Sequence, residues 1–162
     1  MNWYPPIKNM ELPIGLGEFG AVRKHHTHEG VDLYCNNNDN VYAVEEGIVV
    51  GYYWFTGEQS NPPSPWWNDT EVVLIEGDTG VVAYGEISVL PSIKQIGMRV
   101  ERGQYIGNVL TVLKKDKGRP MSMLHLELYE KGIRKTGNWD HGLPKPEGLK
   151  DPSKYLKLAK EK

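Results

Sequence analysis

Short runs of alternating apolar and polar residues make up much of the chain. Such alternation is typical of half-buried β-strands, because successive side chains of a strand point to opposite faces of the sheet. It predicts strands within residues 28–35, 41–55, 71–77, 81–90 and 121–130. The turn Asp78-Thr79-Gly80 joins two of these runs into a predicted hairpin. We therefore predict a mainly β protein with at most one or two short helices.

The two ends of the chain read differently from its centre. Residues 1–14 are interrupted by prolines and are predicted to run over the surface as an extended arm. Residues 151–162 predict a short C-terminal helix, with Asp151 as N-cap and Pro152 at the first helical position. The division that follows is an arm (1–14), one domain (15–156) and the end of the helix (157–162).

Composition narrows the classes of function. The 162 residues fit one domain, and the net charge of −2 with 25% charged residues gives no basic surface for nucleic acid. No apolar run approaches the roughly 18 residues of a membrane span. Because the first residues lack a signal-peptide pattern, we expect synthesis in the cytoplasm. Action outside the cell or in a virion would then require another route of release.

The stretch 25-HHTHEGVDLYC-35 concentrates candidate chemistry. On a strand, His28 and Asp32 would share one face while Val31 and Leu33 point into the core. Imidazole and carboxylate groups are suitable ligands for a first-row metal, although a surface strand also carries such residues without one. Cys35 is the only cysteine, so the chain can form neither an internal disulfide nor a thiolate cluster.

A third candidate ligand lies in the strand predicted at 121-MSMLHLELYE-130. Leucines at 124, 126 and 128 would face one side of that strand, and Met123, His125 and Glu127 the other. A lone histidine is more often structural than functional, but His28 and Asp32 shift the interpretation of His125 towards a metal site. Glu127 could accept a hydrogen bond from a ligand histidine, or form a salt bridge elsewhere.

Several motifs occur in the order found in one known family: 17-GEFG-20, 28-HEGVD-32, 84-YGEIS-88, 97-GMRVERGQYIG-107, 124-LHLELYE-130 and 151-DPSKYL-156. Over roughly residues 15–156 the chain resembles lysostaphin-type zinc metallopeptidases, which cut peptide bonds in peptidoglycan cross-bridges. The resemblance implies a compact antiparallel β-sheet or β-sandwich domain of barrel-sandwich type. It also implies Zn²⁺ held by His28, Asp32 and His125, with a water at the open fourth position, and a peptidoglycan peptide as partner.

The chain departs from that family at two positions where the family has histidines, which hold Glu86 and Met123 here. A thioether cannot accept a proton at neutral pH, so Met123 cannot act as a base. The alternation places Glu86 on one strand face with Tyr84 and Ser88, and we predict Glu86 as the replacement base. His26 and His141 are alternative bases, although a solvated imidazole is the simpler interpretation of each.

Three functions remain open at this point. The chain is a zinc hydrolase with an altered base, or an inactive relative that serves as a binding or structural module, for example in a virion. A third interpretation takes residues 97–118 as a lipoyl-type carrier hairpin with Lys117 as the modified residue. Candidate residues for a substrate groove are Tyr84, Trp66, Trp67 and His141. For the two tryptophans, packing of their own loop onto the domain is the alternative.

Overall fold

Nine antiparallel strands joined into one sheet form the frame of the computed structural model, which describes residues 1–116, 118 and 120–162. The strands are β1 (Val31–Tyr34), β2 (Asn40–Tyr42), β3 (Gly47–Thr56), β4 (Thr70–Gly77), β5 (Gly80–Val89), β6 (Arg99–Val100), β7 (Tyr105–Val109), β8 (Met123–Tyr129) and β9 (Leu149–Lys150). One short helix follows, α1 (Ser153–Lys157). The prediction of a mainly β, antiparallel fold with a short C-terminal helix is confirmed.

The sheet brings distant parts of the chain together. Its main order is β1-β8-β5-β4-β3-β6, while β7 pairs with β2 and β5, and β9 pairs with β8. The predicted hairpin is present as β4 and β5, with Gly77 opposite Gly80. At the other side of the sheet, β1 pairs with β8 so that Asp32 lies opposite His125. This register places two of the predicted ligands beside each other.

Both faces of the sheet are covered by apolar side chains. The larger core includes the three leucines of β8 together with Val31 and Leu33 of β1, as the alternation predicts. The opposite face holds a smaller core that includes Val72, Leu74, Val81, Ala83, Tyr129 and Leu149. His125 and Glu127 alternate with the three leucines, so their side chains lie on the same face as this smaller core.

The N-terminal segment is not an arm that lies only on the surface. Trp3 and Ile7 are each 1% exposed and belong to the larger core. The ring of Trp3 stacks on Tyr155 of α1, with the centroids 4.9 Å apart, and the backbone N–H of Tyr4 donates to Val44 O. The prediction of a surface arm is wrong at these positions because prolines prevent regular structure without preventing burial.

The C-terminal helix is shorter than predicted and ends at Lys157, so residues 158–162 do not continue it. Pro152 occupies the N-cap position, although the Asp151 carboxylate accepts a hydrogen bond from the backbone N–H of Ser153 at 2.9 Å. Leu156 anchors the helix in the larger core. No helix among the described residues is long and apolar enough to cross a membrane.

Candidate metal centre

Three side-chain atoms converge on one point beside the smaller core. His28 Nε2 lies 3.2 Å from Asp32 Oδ1 and 3.3 Å from His125 Nδ1, and the last two atoms are 2.8 Å apart. Ligand atoms about 2.0–2.1 Å from a tetrahedral zinc ion lie about 3.3 Å from one another. Two imidazole nitrogens and a carboxylate oxygen at these separations form a donor set that fits a divalent cation.

The backbone positions these three residues from two distant segments. The β1–β8 register aligns Asp32 with His125, while His28 lies just before β1 and its N–H donates to Ala21 O. Between His28 and Asp32 the chain passes so close to β8 that a Cβ on Gly30 would lie 2.3 Å from Leu126 O. Only glycine permits that approach. Of the strand predicted within residues 28–35, only Val31–Tyr34 is observed as a strand, and His28 lies before it.

The second nitrogen of each histidine is held by an acceptor. His28 Nδ1 donates to Glu18 O at 2.9 Å, and His125 Nε2 donates to Glu127 Oε2 at 2.6 Å. Because each of these nitrogens carries its hydrogen towards the protein, the other nitrogen is free to face the cation. The predicted hydrogen bond of Glu127 to a candidate ligand histidine is thus present in the structure, and it is of the kind that orients metal ligands.

Asp32 is 3% exposed and accepts hydrogen bonds at both oxygens. Its Oδ2 accepts a hydrogen bond from Arg23 Nη2 at 2.6 Å, and Arg23 also donates to Leu16 O. Burial acts to raise the pKa of Asp32, but hydrogen bonds from His125 and His28 outweigh it and lower the pKa. The contact of Arg23 with Asp32 was not predicted, because nothing in the local sequence pattern distinguishes Arg23 from a surface cation.

His125 lies between two carboxylates, Asp32 at Nδ1 and Glu127 at Nε2. Burial acts to lower the pKa of His125, but these two hydrogen bonds and the charges of the carboxylates outweigh it and raise the pKa well above its usual value. Without a metal, this environment favours a proton on Nδ1, the nitrogen that faces the other two candidate ligands. Binding of a metal must release this proton.

Glu86 follows Gly85, the residue of β5 that lies opposite His125, at a break in the strand alternation. The β4–β5 pairing shifts between Glu71–Ile87 and Val72–Gly85, so Glu86 is an extra residue without a partner opposite. Its φ is +64°, in the left-handed region. The predicted common face of Glu86 with Tyr84 is wrong, because the bulge changes the alternation at that point.

The two residues that the sequence placed together therefore have different environments. Tyr84 is fully buried in the larger core, where its hydroxyl group accepts a hydrogen bond from the backbone N–H of Val44 at 2.9 Å. It cannot line a groove, and that prediction is wrong. Glu86 Oε1 is buried without a hydrogen-bond partner among the described residues. Burial raises the pKa of Glu86 to about 7, and the carboxylates of Asp32 and Glu127 also raise it, against His125 and Arg23.

Two apolar side chains lie close to the candidate metal centre. Met123 lies opposite Tyr34, two residues from the Asp32–His125 pair and on the same face of the sheet. The ring of Phe55 lies 5.6 Å from that of His125 and 2.8 Å from where a Cβ of Gly85 would stand. A catalytic role for Glu86 as the base stays a prediction.

The alternative bases have other environments. His26 Nδ1 is 3.4 Å from Glu29 Oε1, and this carboxylate raises the pKa of His26. His141 is exposed in the loop whose Asp140 bridges to His26. A catalytic role for either histidine, or for His141 in substrate binding, stays a prediction.

The two tryptophans proposed for a groove lie in the loop between β3 and β4. Trp66 is 64% exposed, while Trp67 is half-buried and bridges to Leu113. Their rings pack edge to face, 6.1 Å apart. Trp67 thus fixes the loop to the domain, whereas Trp66 is free to contact a ligand. Lys117, the residue of the lipoyl interpretation, lies outside the described residues.

The chain is similar to one family of peptidases and to several solved structures. Residues 26–136, more than half of the chain, match the model of a family described as peptidase family M23. The catalytic domain of the antimicrobial peptidase lysostaphin from Staphylococcus simulans has a TM-score of 0.56 and 18% identity, with 92% of this chain and 93% of that chain covered. At 18% identity, this structural likeness shows a shared fold and nothing more.

Two further solved structures are similar in fold. A zinc-containing peptidase from Vibrio cholerae has a TM-score of 0.50 and 20% identity, over 78% of this chain and 36% of that chain. A chain of the SpoIIQ–SpoIIIAH pore-forming complex has a TM-score of 0.53 and 17% identity, over 99% of this chain and 92% of that chain. The chain spans 50%, 36% and 55% of three longer peptidases that it matches.

Proposed function

The chain belongs to peptidase family M23, and on this premise we propose that it is a zinc-dependent peptidase that acts on peptides of peptidoglycan. The convergence of His28 Nε2, Asp32 Oδ1 and His125 Nδ1 within 3.3 Å of one another is the observation that carries the proposal. Zinc, when bound there, supplies a Lewis acid that polarises a carbonyl group and makes a water molecule more acidic.

The residues of the centre have different roles in the proposed activity. His28, Asp32 and His125 hold the cation, and the acceptors behind them keep their donor atoms directed at it. Arg23 neutralises the outer oxygen of Asp32 and so limits the cost of burying this carboxylate.

Glu86 takes the part of the proton acceptor. Its buried Oε1 has no partner among the described residues, so it can receive a proton from the attacking water and pass it to the leaving amine. A cation at the neighbouring centre favours the ionised form of Glu86, which is the form that accepts a proton. A glutamate therefore replaces, on a β-bulge, the histidine that the family carries at this motif.

A second candidate function is that of a binding or assembly module that has kept the fold without catalysis. Met123 supports it, because a thioether next to the centre removes a donor that would stabilise developing charge, at a cost of roughly 10²–10³-fold in rate. The structural similarity to a chain of a pore-forming complex is compatible with this alternative. Such a module would still bind zinc at the same three residues.

The experiment is release of peptides from purified peptidoglycan by the zinc-loaded protein, compared with Glu86→Gln. We expect Glu86→Gln to lower the rate by roughly 10²–10⁴-fold, because a positioned base contributes that much. Zinc affinity should stay close to that of the wild type, since Glu86 is not among the three converging residues. His125→Ala, as a control, should lose both zinc and activity.

Each outcome separates the candidates. Wild-type activity that survives Glu86→Gln would remove Glu86 from the proposed chemistry and turn attention to His26 and His141. A wild-type protein that binds zinc but releases no peptide from several peptidoglycan types would favour the binding module. A protein that binds no zinc would contradict both.

A further inference from the structure

A row of hydrogen bonds joins the candidate metal centre to the segment that follows β8. His125 Nε2 donates to Glu127 Oε2 at 2.6 Å, and the hydroxyl group of Tyr129 donates to Glu127 Oε1. The backbone N–H of Gly137 donates to the Tyr129 hydroxyl oxygen at 2.8 Å. Glu127 and Tyr129 are 2% and 1% exposed, so water does not compete for these contacts.

The chemistry of the groups fixes the direction of every hydrogen in this row. A backbone N–H can only donate, so the Tyr129 oxygen accepts from Gly137 and has its single hydrogen left for Glu127. Glu127 Oε1 therefore accepts, which favours an ionised carboxylate whose other oxygen also accepts. His125 Nε2 then carries hydrogen, and its Nδ1 lone pair is left for the cation.

We propose that Tyr129 is a positioning residue that selects, through Glu127, which nitrogen of His125 binds the metal. This inference rests on the metal centre proposed above and extends it to a residue that touches neither cation nor substrate. The segment containing Gly137 thereby contributes to metal affinity through one backbone N–H. Without the Tyr129 hydroxyl group, Glu127 Oε1 loses its donor in a buried site, and the orientation of the His125 ring is no longer fixed.

Tyr53 offers a matched control. Its hydroxyl oxygen accepts from the backbone N–H of Thr136 at 2.8 Å and is 2.9 Å from Thr136 Oγ1, so it holds the same segment one residue away from Gly137. Tyr53 has no hydrogen bond to Glu127 among those the structure shows. Tyr53→Phe thus removes a comparable hydroxyl group and leaves the row to His125 intact.

The experiment compares the zinc affinity of the wild type, Tyr129→Phe and Tyr53→Phe by competition with a chromophoric chelator. We expect Tyr129→Phe to weaken zinc binding by roughly 10–100-fold, as is usual when an outer partner of a ligand histidine is lost, and Tyr53→Phe to stay within about threefold of the wild type. ¹⁵N NMR of the zinc-loaded proteins should show Nε2–H on His125 in the wild type and Tyr53→Phe. In Tyr129→Phe that signal should weaken or divide between the two ring nitrogens.

Two results would overturn the inference. Zinc affinity of Tyr129→Phe within about threefold of the wild type would show that the hydroxyl group does not act on the centre. Equal losses in both variants would assign the effect to the packing of the segment.

If the wild type binds no zinc, the proposed function fails instead, and the metal-free spectra decide the inference. The His125 Nε2–H signal should then exchange with water faster in Tyr129→Phe than in the other two proteins, and equal exchange would refute it.

Discussion

Zinc should stabilise this chain strongly, because only the folded state assembles the centre. His125 is 97 residues from His28 and 93 from Asp32 along the sequence. In an unfolded chain His125 is not held near the other two donors, whereas the native register aligns all three donor atoms. A ligand that binds the native state alone adds its full binding free energy to the free energy of unfolding.

The size of the effect follows from mass action. At a free zinc concentration of 100 times Kd, the free energy of unfolding should rise by about 2.7 kcal/mol. For a chain of 162 residues, each kcal/mol raises Tm by about 2–4 °C, which gives a shift of about 5–11 °C. The metal-free centre must release the His125 proton on binding, so the shift should become smaller as the pH is lowered.

Differential scanning calorimetry with zinc and with a chelator measures this shift directly. The variant Asp32→Asn keeps the shape of the side chain but removes the anionic donor, and its shift should fall below about 2 °C. His141→Ala removes an exposed loop histidine and should retain the full shift. The comparison is made with and without zinc for each protein, so a lower intrinsic stability of a variant does not affect it.

A wild-type Tm that does not respond to zinc, at concentrations where binding is measured independently, would refute the prediction that zinc stabilises the folded state. It would also be refuted by an equal shift in Asp32→Asn, since binding would then occur elsewhere. A shift lost in His141→Ala would place that loop histidine among the ligands.

Two further predictions concern the remainder of the fold. Trp3→Ala should lower the free energy of unfolding in urea by about 3–5 kcal/mol, because the ring is 1% exposed, whereas Trp66→Ala, 64% exposed, should cost less than about 0.5 kcal/mol. Equal losses would contradict the burial of the N-terminal segment. Burial and the charge of Asp39 raise the pKa of Cys35 to about 11, so its alkylation rate, followed by mass spectrometry, should still rise about tenfold per pH unit between about pH 8 and 10. A plateau near pH 9 would contradict that environment.

Local patterns identified the parts of the centre that regular strands carry. In β8 the alternation separates three core leucines from His125 and Glu127, and the structure keeps that separation. Alternation is a property of the extended backbone itself, so it can be read wherever a strand is regular. His28 and Asp32 were also grouped as residues on one strand face, but His28 lies outside β1, so the motif and not the strand geometry identifies this pair.

Patterns failed where the backbone departs from regularity. The bulge at Glu86 separates this residue from Tyr84, and no local signal distinguishes an inserted residue from an ordinary member of the strand. Arg23 comes from a loop, and only the folded chain shows that it meets Asp32. Trp3 lies between prolines and polar residues, and its burial depends on a contact with Tyr155, near the far end of the chain.

The sequence by itself thus determined the class of fold, the faces of the regular strands and the chemical types gathered at the centre, because these follow from short-range periodicity and motif spacing. The tertiary structure alone decided which atoms meet. The pairing of β1 with β8 aligns Asp32 with His125, and Glu86 lies in the β4–β5 bulge with a buried oxygen lacking a partner among the described residues. Pairing between distant strands depends on the packing of the whole sheet, so these contacts cannot be derived from any one segment.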